Sequence, residues 1–225
     1  ADLEKASVAD VQQFFKTFYV PNNATLVLVG DFESAQALEL VTKYFGPVPA
    51  AEHEIAVNIP EEPPWQGERR LTIQEDWPLP VVVIAHRIPH DGHPDSYPLH
   101  VASKILSDGQ SSRIYRRLVY EEQLALTAFG QGDIIEDPNL FYAVAIVQPG
   151  RNPIEAEQAL VDELERLQDE LVEPRELQRA KNQFARDYII GRTSNQQKAS
   201  HLAHAAVIHE DLTTADGEFE IFMQI

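Results

Sequence analysis

The chain carries eight histidines and no cysteine, so any metal chemistry it performs has to be built from imidazole and carboxylate. His201, His204 and His209 fall on an apolar pattern of helical spacing, and His201 and His204, three apart, can share a face. A metal there would need a carboxylate from Glu210 or Asp211. Helix histidines are more often solvated or hydrogen-bonded, and no metal is expected on this set. His86, His90, His93 and His100 surround a Pro-containing turn and make a weaker set still. Gly130-Gln131-Gly132 is too short and wrongly placed for a dinucleotide fingerprint and reads as a strand bulge. Without cysteine there is no disulfide frame, thiolate zinc site or Cys nucleophile, and no G-x-S-x-G accompanies the serines.

These residues sit in a foldable, acidic chain. Of 225 residues, 44% are apolar and 24% charged, with 18 Lys+Arg against 36 Asp+Glu for a formal charge of −18. A field of that sign repels phosphate backbones, and no basic run offers a local exception, so nucleic acid is excluded as a partner. The longest apolar stretches, such as Ala24 to Val29 and Val81 to Ala85, fall far short of the roughly 20 residues that span a bilayer.

The elements follow from period and punctuation. Ser7 and Asp10 form a capping-box pattern, and Val8, Val11, Phe15 and Phe18 then recur at helical spacing. Pro21-Asn22-Asn23 breaks that helix, Ala24 to Val29 reads as a buried strand, and Leu38, Val41 and Phe45 mark a second helix ending at Gly46-Pro47. A Pro-rich stretch follows, so residues 1–46 are expected to be the helix-strand-helix remnant of a preceding domain, 47–67 a linker, and 68–225 a second domain. In that second domain Leu71 and Ile73 alternate as one strand and Val81 to Ala85 form another. A helix from Pro94 to Asp108 precedes one capped by Ser111 or Ser112, and an antiparallel hairpin turns at residues 136–139. Two long helices then start near Pro149-Gly150 and at Pro174. Strands cluster, then helices cluster, which predicts an α+β fold with helices on one face of a mainly antiparallel sheet.

Three blocks carry a family resemblance: Tyr19 to Phe32 (YVPNNATLVLVGDF), Lys43 to Pro49 (KYFGPVP) and Ile105 to Val119 (ILSDGQSSRIYRRLV). In this order and spacing the chain resembles the insulinase/pitrilysin-like zinc metallopeptidases from about Ser7 to Ala206. The resemblance implies a clam-shell enzyme of repeated α+β domains that degrades unfolded peptides inside a chamber. Members hold zinc with H-x-x-E-H, two His as ligands and the Glu as general base. This chain has no such motif, and its His-Glu pairs, His53-Glu54 and His209-Glu210, lack the second His. The resemblance therefore implies a C-terminal, non-metal-binding segment, inactive alone, with zinc in a partner domain of the same protein or in a partner subunit. Family habit points to the periplasm of a Gram-negative bacterium.

In related enzymes the non-metal half contributes an Arg and a Tyr seven positions apart that contact bound substrate. Arg113 and Tyr120 have that separation, about 700° on an ideal helix, within about 20° of two full turns. A guanidinium can hold a carboxylate or carbonyl through parallel hydrogen bonds, and a phenol can donate to an oxyanion. The competing reading has Arg113 paired with a nearby acid and Tyr120 packed in the core. Gly109-Gln110-Ser111-Ser112 could offer backbone N–H groups to a peptide, or simply form a turn between helices. An edge strand could add a peptide strand. Two other functions remain open: a catalytically dead assembly subunit related to the peptidases, and a stand-alone peptide-binding module.

Overall fold

A computed structural model describes residues 5–53, 55–56, 58–60 and 62–225. The chain divides into two compact units, the first ending at Ile73 and the second running from Gln74 to Ile225.

The first unit holds two amphipathic helices, α1 (Val8–Phe18) and α2 (Ser34–Phe45), joined through a 3-10 turn at Pro21–Asn23. The capping box expected at Ser7 is present: the Ser7 amide donates to Asp10 at 2.8 Å and the Asp10 amide to the Ser7 hydroxyl at 3.3 Å. The expected strand at residues 24–29 is not paired. Its backbone is extended at Ala24, but a strand exists only through a ladder, and no described residue pairs with it. Neither helix buries a residue, so the apolar stripe of Val8, Phe15, Leu38 and Phe45 stands in solvent. Of the His53-Glu54 pair, Glu54 lies outside the described residues.

The second unit is the expected α+β fold. Its sheet has strands β1 (Val81–Ile88), β2 (Ala125–Gly132) and β3 (Asn139–Val147) in the order β1-β3-β2, antiparallel throughout. The predicted hairpin is β2 and β3, registered through Phe129↔Val144 and Gly130↔Ala143. Leu71 and Ile73 form no strand and lie exposed, because alternation gives a strand only where an edge is available to pair with it. The bulge also falls elsewhere than predicted: the register slips between Ala125 and Thr127, while Gly130 and Gly132 stay paired. A Cβ on Gly130 would come within 2.8 Å of the Tyr142 carbonyl, so glycine serves a close backbone passage there.

Helices cover one sheet face. These are α3 (Ser96–Ser107), α4 (Arg113–Tyr115, continuing as a π-helical turn over Arg116–Glu121) and α5 (Pro153–Asp169); α6 (Pro174–Ile190) and α8 (Thr214–Gln224) pack in turn on α3, and α7 (Asn195–Val207) on α8. Alternate β3 residues Phe141, Ala143, Ala145 and Val147 point into the main core with Leu106, Ile114, Leu118, Leu160 and Leu164. A second cluster joins Val101, Ile105 and Ala180 to Phe222, whose ring stacks on Phe184 at 3.7 Å. The other sheet face is apolar and uncovered by helices of this unit. Val81 and Val83 on β1 and Phe129 on β2 stand beside Val144 and Ile146, and Val83 is 61% exposed. None of the helices is long and apolar enough to cross a membrane, among the described residues.

Candidate functional site

Arg113 and Tyr120 lie at the two ends of the α4 segment, and its geometry separates them. The π-helical turn is marked by the Glu122 amide donating to the Arg117 carbonyl, five residues back. Such widening reduces the rotation per residue, so the two-turn coincidence of an ideal α-helix no longer applies. Arg113 turns inward with a side chain 7% exposed. Its Nε donates to Glu176 Oε1 at 2.9 Å and its Nη2 to Oε2 at 2.7 Å, a two-pronged pair from α4 to α6. Hydrogen bonding from Arg113 holds the Glu176 carboxyl below its ordinary value. Tyr120 is 55% exposed. Its hydroxyl donates to Gln110 Oε1 at 3.1 Å, and its ring meets Tyr115 edge-on at 5.4 Å.

The Gly109–Ser112 loop is thereby brought beside Tyr120. Gly109 adopts φ +81°, a left-handed conformation that favours glycine, and the Ser112 amide closes a turn onto the Gly109 carbonyl at 3.1 Å. Ser112 occupies the N-cap position of α4, yet its hydroxyl makes no capping bond. The Ser111 carbonyl and hydroxyl accept from Arg179 Nη1 at 2.6 and 3.0 Å. This loop is a turn between helices, pinned by an arginine of α6.

Behind it lies a cleft of about 750 Å³ between α4, α5 and α6, lined by six arginines and four glutamates. Sequence inspection did not find this cluster, because its members come from three helices that only tertiary packing brings together. Most of the charge is internally matched. Arg117 reaches Glu122, Asp162 and Glu163 at 2.7, 2.8 and 3.4 Å. Its burial, which disfavours the charge, is outweighed by the hydrogen bonds it donates to Glu122 and Asp162, which hold the guanidinium charged. Arg175, by contrast, faces solvent with no ion-pair partner among the described residues.

The histidines sort differently from the expectation. His201 turns toward α8, its Nε2 2.8 Å from the Ala215 carbonyl, with the Arg192 guanidinium against the same ring, Nη2 2.7 Å from Nε2 and 3.0 Å from Nδ1. It therefore does not join His204. His204 and His209 converge instead on Asp91, in the turn after β1, and the ligand atoms of the three lie within 4.8 Å of one another. Asp91 had no signal of its own in the sequence, being 113 residues from His204. Neither Glu210 nor Asp211 belongs to that group.

The fold and site define a helix-on-sheet α+β domain whose charged cleft is mostly matched by internal ion pairs and whose sequence has no H-x-x-E-H. A family model described as the peptidase M16 inactive domain matches residues 5–184, and the chain belongs to that family. The resemblance read from the three sequence blocks is thus confirmed. The chain is 28% identical over 205 residues to the zinc protease PqqE of Helicobacter pylori, covering 90% of this chain and 45% of that protein. A solved Helicobacter pylori protease superposes with a TM-score of 0.91 at 26% identity, covering all of this chain and 55% of that one. The periplasmic protease PqqL of Escherichia coli shares the fold, with a TM-score of 0.65 at 16% identity over 87% of this chain and 22% of its own. The chain thus spans about half the length of the Helicobacter pylori relatives it matches.

Proposed function

We propose that this chain is the non-catalytic half of a zinc-dependent endopeptidase, which walls the proteolytic chamber and contacts the peptide while a partner domain or subunit bearing H-x-x-E-H supplies the zinc. The observation that carries the proposal is the pairing of inactive-domain membership with two bare apolar surfaces. One is the stripe on α1 and α2, which buries nothing. The other is the open sheet face of Val81, Val83 and Phe129. Surfaces of this kind are expected where another body completes the fold or encloses an unfolded peptide. β1 and β2 are the edges of the sheet among the described residues, and either offers a ladder for strand addition by substrate. The periplasm is the compartment proposed, by analogy with PqqL.

Within this reading Tyr120 is the substrate contact. Its phenol is exposed, held by one hydrogen bond to a mobile-length side chain, Gln110, and free to donate elsewhere once that bond is exchanged. Arg113 serves as a positioning residue, anchoring α4 through Glu176. In the complete peptidase, Tyr120→Phe keeps the ring and removes the donor, and kcat/KM for an extended peptide is expected to fall about tenfold with unchanged thermal stability. Unaltered kcat/KM would remove Tyr120 from the substrate path and leave the assembly role, the alternative in which the chain is a structural subunit with no part in proteolysis.

A further inference from the structure

We propose that Asp91, His204 and His209 form a binding site for a divalent metal ion of the zinc class, which clamps the turn after β1 to the end of α7. The three donors are the right kind, two imidazoles and a carboxylate. Their spacing also brackets what such an ion requires. Bond lengths of about 2.0–2.2 Å in a tetrahedral shell put neighbouring donor atoms about 3.3 Å apart. His204 Nε2 lies 2.8 Å from Asp91 Oδ2, and His209 Nε2 lies 3.7 Å from the same oxygen. Side-chain shifts of about half an ångström would open the first separation and close the second.

The surroundings hold the donors in place from behind. The Asp91 amide donates to the Ile135 carbonyl at 2.7 Å. Asp91 Oδ1 accepts the Gly92 amide at 2.8 Å, leaving Oδ2 turned to the histidines. Metal sites depend on such orienting contacts to fix their ligands. Gly92 has φ +82°, and a Cβ there would approach His209 Nδ1 at 3.3 Å, so the absent side chain lets the imidazole lie against the turn. Glu210, at φ +51°, turns the chain directly after His209. Asp91 and His209 are 13% and 10% exposed at their side chains, whereas His204 is 48% exposed. Two donors are thus preset in the protein, the third closes from the surface, and the outer side is left to water as a fourth ligand.

The test uses the whole chain, stripped with chelator and titrated with zinc against a chromophoric competitor, with thermal unfolding followed in parallel. One zinc per chain is expected at sub-micromolar affinity, with a rise in Tm that added chelator reverses. His204→Ala, a largely exposed position, and Asp91→Asn, which retains an acceptor for the Gly92 amide, should each weaken zinc binding at least tenfold and abolish the Tm rise. Their apo Tm should stay close to that of the parent. Equal affinity and stoichiometry in either variant would overturn the assignment, as would zinc taken up only weakly and at several surface histidines.

Discussion

Arg113 carries the clearest residue-scale consequence. Its guanidinium and the Glu176 carboxylate are both largely withdrawn from water, so removing one partner strands a buried charge. Arg113→Ala is expected to cost about 3 kcal/mol of stability in denaturant unfolding. Arg113→Met combined with Glu176→Leu should recover most of that loss, since two matched apolar side chains leave nothing unpaired. The pair also sets a pH dependence. Because hydrogen bonding to Arg113 lowers the folded-state value of Glu176 below its ordinary 4.5, its stabilisation is complete above about pH 4.5 and is lost as pH falls through the folded value. The double variant should show a flatter stability curve across that acid range, and an identical curve would refute the coupling. The family resemblance pointed to Arg113 and Tyr120, whose seven-residue spacing suits one face of an ideal helix. What it could not supply was Glu176, which lies 63 positions away, or the π-turn that separates the two side chains.

Elements were legible where the signal is local. The Ser7 capping box, the Pro174 start of α6, the β2–β3 hairpin and the amphipathic stripes of α1 and α2 all come from residues within a few positions of one another. The unpaired segments at 24–29 and 71–73 have strand-like sequences too, yet strand formation depends on a distant partner and cannot be read from the segment itself. α8 shows the same limit from the other side. Its Phe219-Glu220-Ile221-Phe222 pattern gave no boundary, but Phe222 is 2% exposed, stacked on Phe184 and edge-on to Tyr97 at 5.2 Å. It is the anchor that holds α8 to α3 and α6. Phe222→Ala should therefore cost about 3–5 kcal/mol. Amide hydrogen exchange should show the loss first in α8. Uniform loss across the sheet would mean the second cluster folds as one unit with the main core.

At the scale of the whole molecule, the charge of −18 and the family explain different things. A charge of this sign repels phosphate backbones, while the bare stripes of the first unit and the open sheet face ask for a complementary body. On the proposed function, which rests on inactive-domain membership, that body is the half that carries the zinc motif. The Asp91-His204-His209 group does not change this assignment, since its proposed role is to clamp two turns of one domain together. Complementation tests the central claim most directly. Peptide hydrolysis is measured with this chain and zinc, then with the H-x-x-E-H half, then with both. The account predicts no turnover from this chain by itself and a large gain when the two halves are combined. Robust, chelator-sensitive hydrolysis by this chain in isolation would contradict it.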